Sequence, residues 1–227
     1  MNYYQGPGWY KTLLDIQNPY PNGRILLDFE GAGQKTEVYI YTTRVASHIG
    51  GYDEWTADIT EAVQAFVSTP ECVQRFGGKV PLSIRCDNSR DAEMIPSDLS
   101  DFNVYGGLYR YLNLAYVPEV SIDRVQIDAV LDKNLKKATL AVQAFFYNPS
   151  DIRKTTAHII VKSPSGKIIL NERKRSDAAW KSFPADGKYS EAGIMVGRGS
   201  CSLHLRNYPA PQRTGAESHR AIRIPPF

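Results

Sequence analysis

Short runs of alternating apolar and polar residues constrain this chain more than any other feature of its sequence. In segment 37–42, Val38 and Ile40 fall on one side of the alternation. In segment 80–86, Leu82 and Ile84 do the same. A period of two places successive side chains on opposite faces of a β-strand. Further strands are predicted at 24–30, 109–117, 120–127, 137–147, 157–161 and 168–170. The pattern therefore predicts an all-β fold.

One segment departs from this pattern and predicts a short helix. Asp58-Ile-Thr-Glu61 resembles a capping box, with Asp58 as the N-cap and Glu61 at the third helical position. Apolar residues then follow at helical spacing at Ala62, Val63 and Phe66.

The second half of the chain predicts a separate antiparallel sandwich, comparable to an Ig-like domain. We place the boundary near 118–120, where Pro118 closes the first set of strands, and extend the second domain over 119–195. Residues 196–227 have five Arg, four Pro, three Gly and no Lys. This composition predicts an irregular tail, with no convincing strand beyond Ser202 to Leu205.

Length and charge exclude several classes of protein. The 227 residues are too few for a small domain plus a complete (β/α)₈ barrel, which alone needs about 250 residues. The net charge of +3 is small and spread along the chain, so we predict neither a nucleic-acid nor a membrane partner. The residues after Met1 show no signal-peptide pattern, and the cellular compartment stays open.

The chemistry-bearing residues predict no metal site, cofactor or nucleophile triad. The cysteines, Cys72, Cys86 and Cys201, are odd in number and irregular in spacing, which argues against a disulfide scaffold or a zinc site. The four histidines lack metal-ligand spacing, and no G-x-S-x-G segment occurs. The pair Asn171-Glu172 ends a predicted strand, and we interpret it as having no catalytic role.

Five segments, in order and at suitable spacing, resemble glycoside hydrolase family 2, which includes β-galactosidases, β-glucuronidases and β-mannosidases. They are YYQGPGWYKT at 3–12, LDFEG at 27–31 with EVYIY at 37–41, HIGGY at 48–52 with ADIT at 57–60, IRCDN at 84–88, and DFNVYGGLYR at 101–110. The match covers residues 3–117 well and 118 to about 185 more weakly.

The resemblance implies a jelly-roll, galactose-binding-like β-sandwich over 1–118, followed by the Ig-like sandwich. In the family a catalytic barrel with two glutamates then performs a retaining hydrolysis. This chain is too short to include that barrel, so we expect no catalytic residues in it and expect the barrel of a parent enzyme as its partner. The first family strand is expected to be missing, and 196–227 is expected to be an aberrant tail, explained by a frameshift near codons 185–195.

The resemblance also implies site residues. Asp101 is expected to accept hydrogen bonds from hydroxyls of the terminal sugar, since a carboxylate offers two acceptor oxygens. Tyr52 and Trp55 are substrate-binding candidates because aromatic rings stack on the C–H-rich faces of pyranoses, and Tyr105 is a further candidate for such stacking. Structural roles are expected for the motif residues Trp9, Tyr10, Gly50, Gly51, Gly106, Gly107 and Arg110. Of these, Trp9 is expected in the core, and Arg110 is expected to pair with a carboxylate within the chain.

The sequence thus predicts the non-catalytic N-terminal part of a family 2 β-glycosidase, most like a β-galactosidase, which contacts carbohydrate weakly or not at all without the barrel. The alternative is a stand-alone carbohydrate-binding module or an accessory that complements a separately encoded barrel. The sugar and the oligomeric state stay open.

Overall fold

A computed structural model describes residues 4–95, 104–133, 137–153, 155–162, 166–176, 182–190, 200–207 and 217–223. The chain divides into two compact units, Met1–Tyr116 and Val117–Phe227. Each unit has its own hydrophobic core.

The first unit is a β-sandwich with two short helices. Its elements are β1 (Pro7–Leu14), β2 (Arg24–Phe29), β3 (Ala32–Gly33), β4 (Lys35–Ile40), β5 (Thr43–Ile49), β6 (Trp55–Asp58), α1 (Thr60–Val67), α2 (Pro70–Phe76), β7 (Val80–Asp87), β8 (Gly107–Leu108) and β9 (Leu112–Val117). One sheet has the order β1-β7-β4-β5 and the other β6-β2-β9, while β3 pairs with β8.

The core of this unit lies between the two larger sheets. β2, β4 and β7 each bury alternate residues, which is the pattern expected of strands with one face on a core. The most buried large side chains include Leu27 and Phe29 from one sheet and Val38, Ile40 and Ile84 from the other. The predicted inward positions of these strands are therefore correct.

The N-cap of helix α1 lies one residue later in the chain than predicted. The N-cap is Ile59, which cannot bond through its side chain, so the expectation of Asp58 at that position is wrong. Asp58 directly precedes the N-cap, and its Oδ1 accepts a hydrogen bond from Thr60 N at 3.0 Å. Thr60 Oγ1 accepts a bond from Ile25 N at 2.8 Å, so β2 fixes where the helix starts. Val63 and Phe66 face the core as predicted.

Trp9 is not a core residue, which corrects the prediction. It lies opposite Arg85 in the β1–β7 ladder, whereas the neighbouring β7 residues Ile84 and Cys86 are the buried ones. Directly opposed residues share a face, so Trp9 projects from the outer face of an edge strand. Its ring is 52% exposed and packs against Tyr39 with ring centroids 5.6 Å apart.

The second unit is also built from antiparallel sheets. Its strands are β10 (Ser121–Leu131), β11 (Lys137–Tyr147), β12 (Thr155–Lys162), β13 (Ile168–Ser176), β14 (Ser182–Ser190), β15 (Ser200–Asn207) and β16 (Glu217–Arg223). The sheet orders are β10-β11-β14 and β13-β12-β15-β16, and both sheets contribute to one core that contains Val142, Phe146 and Ile159. The predicted all-β class is confirmed for the chain, while the narrower jelly-roll and Ig-like assignments stay predictions.

The strand expected at Ser202 to Leu205 lies within β15, but the expectation of no further strand in the C-terminal tail is wrong because β16 is also present. β15 pairs antiparallel with β12 along its whole length, from Ser200 opposite Lys162 to Asn207 opposite Thr155. β16 then pairs with β15. The hydrogen bonds between paired strands join backbone groups and do not require an apolar sequence. The composition of the tail therefore did not predict β16. The frameshift stays a prediction.

Candidate functional site

The family-like segments of the first unit meet at one end of its sandwich. We call this the motif end, and its residues are 31–34, 48–53, 87–91 and 104–110. Gln34 N donates to Asp87 O at 3.1 Å, and Gly50 N donates to Gln34 O at 2.9 Å. β3 and β8 pair with Ala32 opposite Leu108 and Gly33 opposite Gly107. Segments far apart in sequence are therefore joined here by backbone hydrogen bonds.

Two glycines allow these segments to approach so closely. A Cβ on Gly33 would lie 1.9 Å from the carbonyl oxygen of Tyr105, and this oxygen belongs to the backbone and cannot rotate away. Gly107 has φ +79°, and a Cβ there would lie 2.1 Å from Tyr10 Oη. Both positions therefore require a residue without a side chain. A structural role for the motif glycine at 107 stays a prediction, and this geometry supports it.

Asn88 connects the N-terminal segment to the motif end. Its Oδ1 accepts from Gly6 N at 2.9 Å, and its Nδ2 donates to Tyr4 O at 3.2 Å. A Cβ on Gly106 would lie 2.5 Å from Asn88 Nδ2. Asn88 is 8% exposed, so its amide is a buried polar group that is satisfied by backbone partners.

Three tyrosines form a row on this end, which we call the tyrosine row: Tyr52, Tyr109 and Tyr105. The Tyr105 ring stacks on Tyr109 with centroids 5.5 Å apart, and the Tyr52 ring lies 6.1 Å from Tyr109 on a tilted plane. The Tyr109 hydroxyl donates to Gly51 O, which holds the central ring. Tyr52 is 45% and Tyr105 is 50% exposed. Half-exposed rings held by a partly buried, hydrogen-bonded ring form a surface on which a flat apolar face can stack.

Trp55 cannot be an open stacking platform, which corrects its role as a substrate-binding candidate. Phe29 stacks on the indole at 4.0 Å and 4°, and His48 stacks on it at 4.7 Å and 14°. Two rings this close and this nearly parallel cannot fit side by side on one face, so both faces are covered. Trp55 was a candidate because aromatic rings stack on sugars, but it lies directly opposite the buried Phe29 in the β2–β6 ladder and packs against it.

His48 and Trp55 leave polar atoms unused. The Asp53 carboxylate lies 3.0 Å from His48 Nε2, but it is not aligned for a hydrogen bond, and this nitrogen has no such partner among the described residues. Trp55 Nε1 is likewise buried without one in the described part of the chain. Such groups are rare in folded proteins, where most buried polar atoms bond to protein or to ordered water.

Gln34 is a residue that the sequence analysis missed. It is 4% exposed, and its Nε2 has no hydrogen-bond partner within the described ranges. Its position continues the inward alternation of Val38 and Thr36 by two residues. If the alternation of this strand had been extended by two residues toward the N-terminus, it would have predicted that Gln34 is buried.

Two ion pairs involve residues of β4, and the first of them lies at the motif end. Lys35 Nζ contacts Asp91 Oδ2, and this hydrogen bond lowers the pKa of Asp91. On the outer face of the same sheet, Arg44 bonds Glu37 at 2.9 Å and lowers the pKa of Glu37. These carboxylates therefore stay ionised near neutral pH.

The remaining predicted residues are placed as follows. Asp101 lies outside the described residues. Gly50 and Gly51 lie at the motif end, and their structural role stays a prediction. Tyr10 Oη accepts a hydrogen bond from Leu108 N at 3.3 Å. The Arg110 guanidinium carbon lies 5.9 Å from the Tyr109 ring centre, and a carboxylate partner for Arg110 stays a prediction.

Metal sites and membrane spans each need a recognisable set of residues, which can be sought in the described part of the chain. Among those residues, no group of three or more His, Cys, Asp and Glu side chains could hold a metal ion. Neither described helix has the length and hydropathy of a membrane span. Cys72 and Cys86 are buried and not disulfide-bonded.

No protein-family model matches the chain. A crystal structure of Parabacteroides merdae β-glucuronidase is 48% identical with a TM-score of 0.86, over 98% of this chain and 28% of that one. A putative β-glucuronidase of Formosa agariphila is 31% identical over 185 residues, or 76% of this chain and 21% of that protein. A β-galactosidase of Thermoanaerobacter pseudethanolicus is 27% identical over 194 residues, or 85% of this chain and 23% of that protein.

These relatives are all β-glucuronidases or β-galactosidases by name, as the resemblance of the five segments implied. The chain spans about a quarter of the length of the relatives it matches, which is consistent with their N-terminal part. By this homology, the chain belongs with the bacterial β-glucuronidases and β-galactosidases.

Proposed function

We propose that this chain is the non-catalytic, sugar-contacting portion of a family 2 β-glycosidase. The observation that carries the proposal is the tyrosine row, which presents two half-exposed rings on the end where the family-like segments converge. Hydrolysis of a terminal β-glycosidic bond by double displacement is assigned to the part of the relatives that this chain does not match.

The tyrosine row suits a pyranose because an aromatic ring can pack against the C–H groups on one sugar face. Tyr109 contributes by holding its neighbours, and Tyr52 and Tyr105 offer the exposed surface. We keep Asp101 as a proposed acceptor of sugar hydroxyls, on the grounds of its position in the DFNVYGG segment.

A β-glucuronidase is the better-supported parent. The sequence analysis favoured a β-galactosidase, but the matched β-galactosidase is 27% identical, whereas the Parabacteroides merdae β-glucuronidase is 48% identical. We therefore propose a β-glucuronide as the parent's substrate, with the rest of that enzyme as the partner of this chain.

The first test measures sugar binding to the full chain. Methyl β-D-glucuronide is titrated by calorimetry into the wild type and the Tyr105→Ala and Asp101→Asn variants. Loss of one stacking ring is expected to weaken binding by up to about tenfold. Tyr111→Ala is the matched control, because Tyr111 is 76% exposed but does not belong to the tyrosine row.

The second test separates the accessory role from catalysis. The chain alone is expected to release no product from a chromogenic β-glucuronide. A chimera in which it replaces the matched 28% of the Parabacteroides merdae enzyme is expected to hydrolyse that substrate. Turnover by the chain alone would contradict the non-catalytic assignment, and an inactive but folded chimera would contradict the accessory one.

A further inference from the structure

Strand β1 is the end strand of its sheet and is exposed on both of its faces. It pairs with β7 on one side, and within the described residues no strand pairs with its other side. Trp9 and Leu13 on the outer face are 52% and 48% exposed, and Tyr10 on the inner face is 42% exposed. Ile84, which lies opposite Tyr10 on β7, is 2% exposed, so the cover over the inner face ends before β1. An edge with apolar side chains on both faces is a site to which another strand can add.

The unpaired backbone groups of β1 belong to its odd-numbered residues. Gly6 O accepts from Asn88 N at 3.4 Å, so these two residues form a hydrogen-bonded pair at the start of the β1–β7 ladder. Such pairs alternate with non-hydrogen-bonded pairs along antiparallel strands. The even-numbered residues of β1 therefore bond to β7, and Trp9 and Lys11 direct their N–H and C=O groups away from it. Pro7 agrees with this assignment, because a proline is tolerated in a strand where its missing N–H would face the free edge.

Lys11 selects the partner that this edge can accept. It lies two residues after Trp9 on the outer face, and its ammonium group has no ion pair among the residues that the structure describes. A lysine in the middle of an edge strand normally prevents strand addition. Two copies of β1 paired with Lys11 opposite Lys11 would repel each other.

The exposed ring of Trp9 offers this lysine a partner in a second copy of the chain. Tyr39 packs against the indole from the side of the sheet, with ring centroids 5.6 Å apart, so the side toward the free edge is uncovered. An ammonium group is attracted to the face of an indole ring. If two β1 strands pair antiparallel about an axis at Tyr10, each Lys11 lies opposite Trp9 of the other copy. In this register the charges of the edge are complementary to those of a second copy.

We propose that β1 is a homodimerisation edge, at which the β1 strands of two copies pair antiparallel about a two-fold axis at Tyr10. Trp9 of each copy then exchanges two backbone hydrogen bonds with Lys11 of the other. The two Tyr10 rings meet on the inner face. Pairing ends at Pro7, whose carbonyl oxygen already accepts from the Tyr4 hydroxyl at 3.1 Å. The same strand is used by both copies, so the interface is closed and no longer assembly follows.

The first measurement is sedimentation velocity of the full chain over a range of concentrations. A junction of two short strands is small and therefore weak, and we expect a Kd of about 10–100 µM. The wild type should change from monomer to dimer between about 1 and 300 µM, a range that brackets this Kd.

Two substitutions of Lys11 locate the interface. Lys11→Pro removes an N–H on the free edge and leaves the ladder with β7 intact, so this variant should fold and sediment as a monomer throughout the range. Lys11→Glu places a carboxylate against the ring of Trp9 of the second copy and should raise the Kd roughly 3- to 10-fold. Lys79→Glu is the matched control, because it makes the same change of charge at an exposed position outside β1, and it should leave the Kd unchanged.

Cysteine cross-linking tests the position of the axis. In Tyr10→Cys the two cysteines would form a non-hydrogen-bonded pair with Cα atoms about 4.5 Å apart, which permits a disulfide. Thr12→Cys lies on the same face, but its cysteines would be opposite Gly8 of the other copy and about 14 Å from each other. Oxidation with copper phenanthroline should therefore link Tyr10→Cys into dimers and leave Thr12→Cys unlinked. Wild-type protein oxidised in parallel accounts for the native cysteines.

Three results would overturn the proposal. A wild type that stays monomeric at the highest concentration would show that Lys11 protects the edge instead of pairing with Trp9. A dimer that is unchanged by both Lys11 variants would lie on another surface. Cross-linking of Thr12→Cys without cross-linking of Tyr10→Cys would place the axis elsewhere. If Lys11→Pro does not fold, Lys11→Glu and the cross-linking still decide, and none of these tests depends on the proposed sugar binding.

Discussion

The two ends of the first sandwich are formed by the same strands but differ in what their side chains contact. β4 has Gln34 just before its start and Tyr41 just after its end. At the Tyr41 end, which we call the helix end, Tyr41 packs against Phe66 at 5.2 Å and Phe76 at 5.8 Å. The Tyr41 hydroxyl donates to Glu71 at 2.8 Å. The Tyr41 ring is thus covered by apolar rings, and its hydroxyl has a partner.

The motif end is closed in a different way. Glycines bring backbone segments into contact, and within the described ranges Gln34 and His48 each keep a buried nitrogen without a hydrogen-bond partner. Proteins depart from full polar satisfaction mainly where function requires it. We expect the helix end to contribute more to the stability of the fold than the motif end, whose proposed role is in binding.

The largest expected effect is on the helix end. Phe66→Ala removes a ring that is 7% exposed and should lower the free energy of unfolding by about 3–4 kcal/mol, since it leaves a cavity. Urea unfolding measures the loss, and sugar binding by the folded variant should not change. Val73→Ala, at a position 68% exposed, should cost only about 0.5 kcal/mol. A loss of sugar affinity in Phe66→Ala would show that the two ends are not independent.

Gly33→Ala tests the close approach at the motif end. The added methyl would lie 1.9 Å from Tyr105 O, so one segment must move, and we expect a loss of about 2–3 kcal/mol in the free energy of unfolding. Unlike Phe66→Ala, this variant should also lose sugar affinity, because Tyr105 is displaced. Gly8→Ala is the control, since its nearest contact would be at 3.9 Å. A Gly33→Ala protein as stable as wild type would contradict the geometry of this end.

Tyr109→Phe separates the hydroxyl of the tyrosine row from its ring. It removes the donor to Gly51 O and should cost about 1 kcal/mol of unfolding free energy. Stacking with Tyr105 should persist, so sugar affinity should fall less than in Tyr105→Ala. Tyr111→Phe is the control for a hydroxyl on a ring that is 76% exposed. Equal losses in both variants would mean that the hydrogen bond to Gly51 contributes nothing.

The smallest expected effect is the pH dependence of the helix end. Hydrogen bonds from Tyr41 and Arg75 lower the pKa of Glu71 below its ordinary value of 4.5. A lowered native pKa stabilises the fold above the unfolded value, and this contribution is lost as the pH falls below 4.5 through the native pKa. Unfolding midpoints measured from pH 7 to 3.5 should therefore fall less steeply in Glu71→Gln than in wild type. An identical dependence of the unfolding midpoint on pH in both proteins would show that Glu71 does not contribute to it.

Strand positions were predictable because each core strand carries its own alternation. Segments 24–30, 80–86 and 137–147 lie within a residue of β2, β7 and β11 at either end. Helix α2 was missed, although Pro70 at its first turn and Gly77 in a left-handed conformation after it are typical boundaries. It spans only Pro70–Phe76, and Cys72 is its one residue buried in the core, so its apolar periodicity is too short to detect.

The site was predictable as a set of segments but not as a set of exposed residues. Tyr52 and Tyr105 were identified as stacking candidates and are half exposed, but Trp55 was grouped with them although both its faces are covered. Trp9 was expected in the core and lies on an outer face. The alternation predicts in which strand an aromatic residue lies and to which face of the sheet it points. Its burial depends on which neighbouring side chains pack against that face.

The amino-acid sequence by itself determined the all-β class, the inward faces of the main strands and the relationship to β-glycosidases, because alternation and short motifs are local properties. Only the tertiary structure decided that Gly33 lies against Tyr105, that Tyr109 anchors the tyrosine row and that the buried Gln34 Nε2 has no hydrogen-bond partner in the described part of the chain. The reason is physical: each of these features depends on atoms that are tens of residues apart along the chain and become neighbours only when the sheets pair.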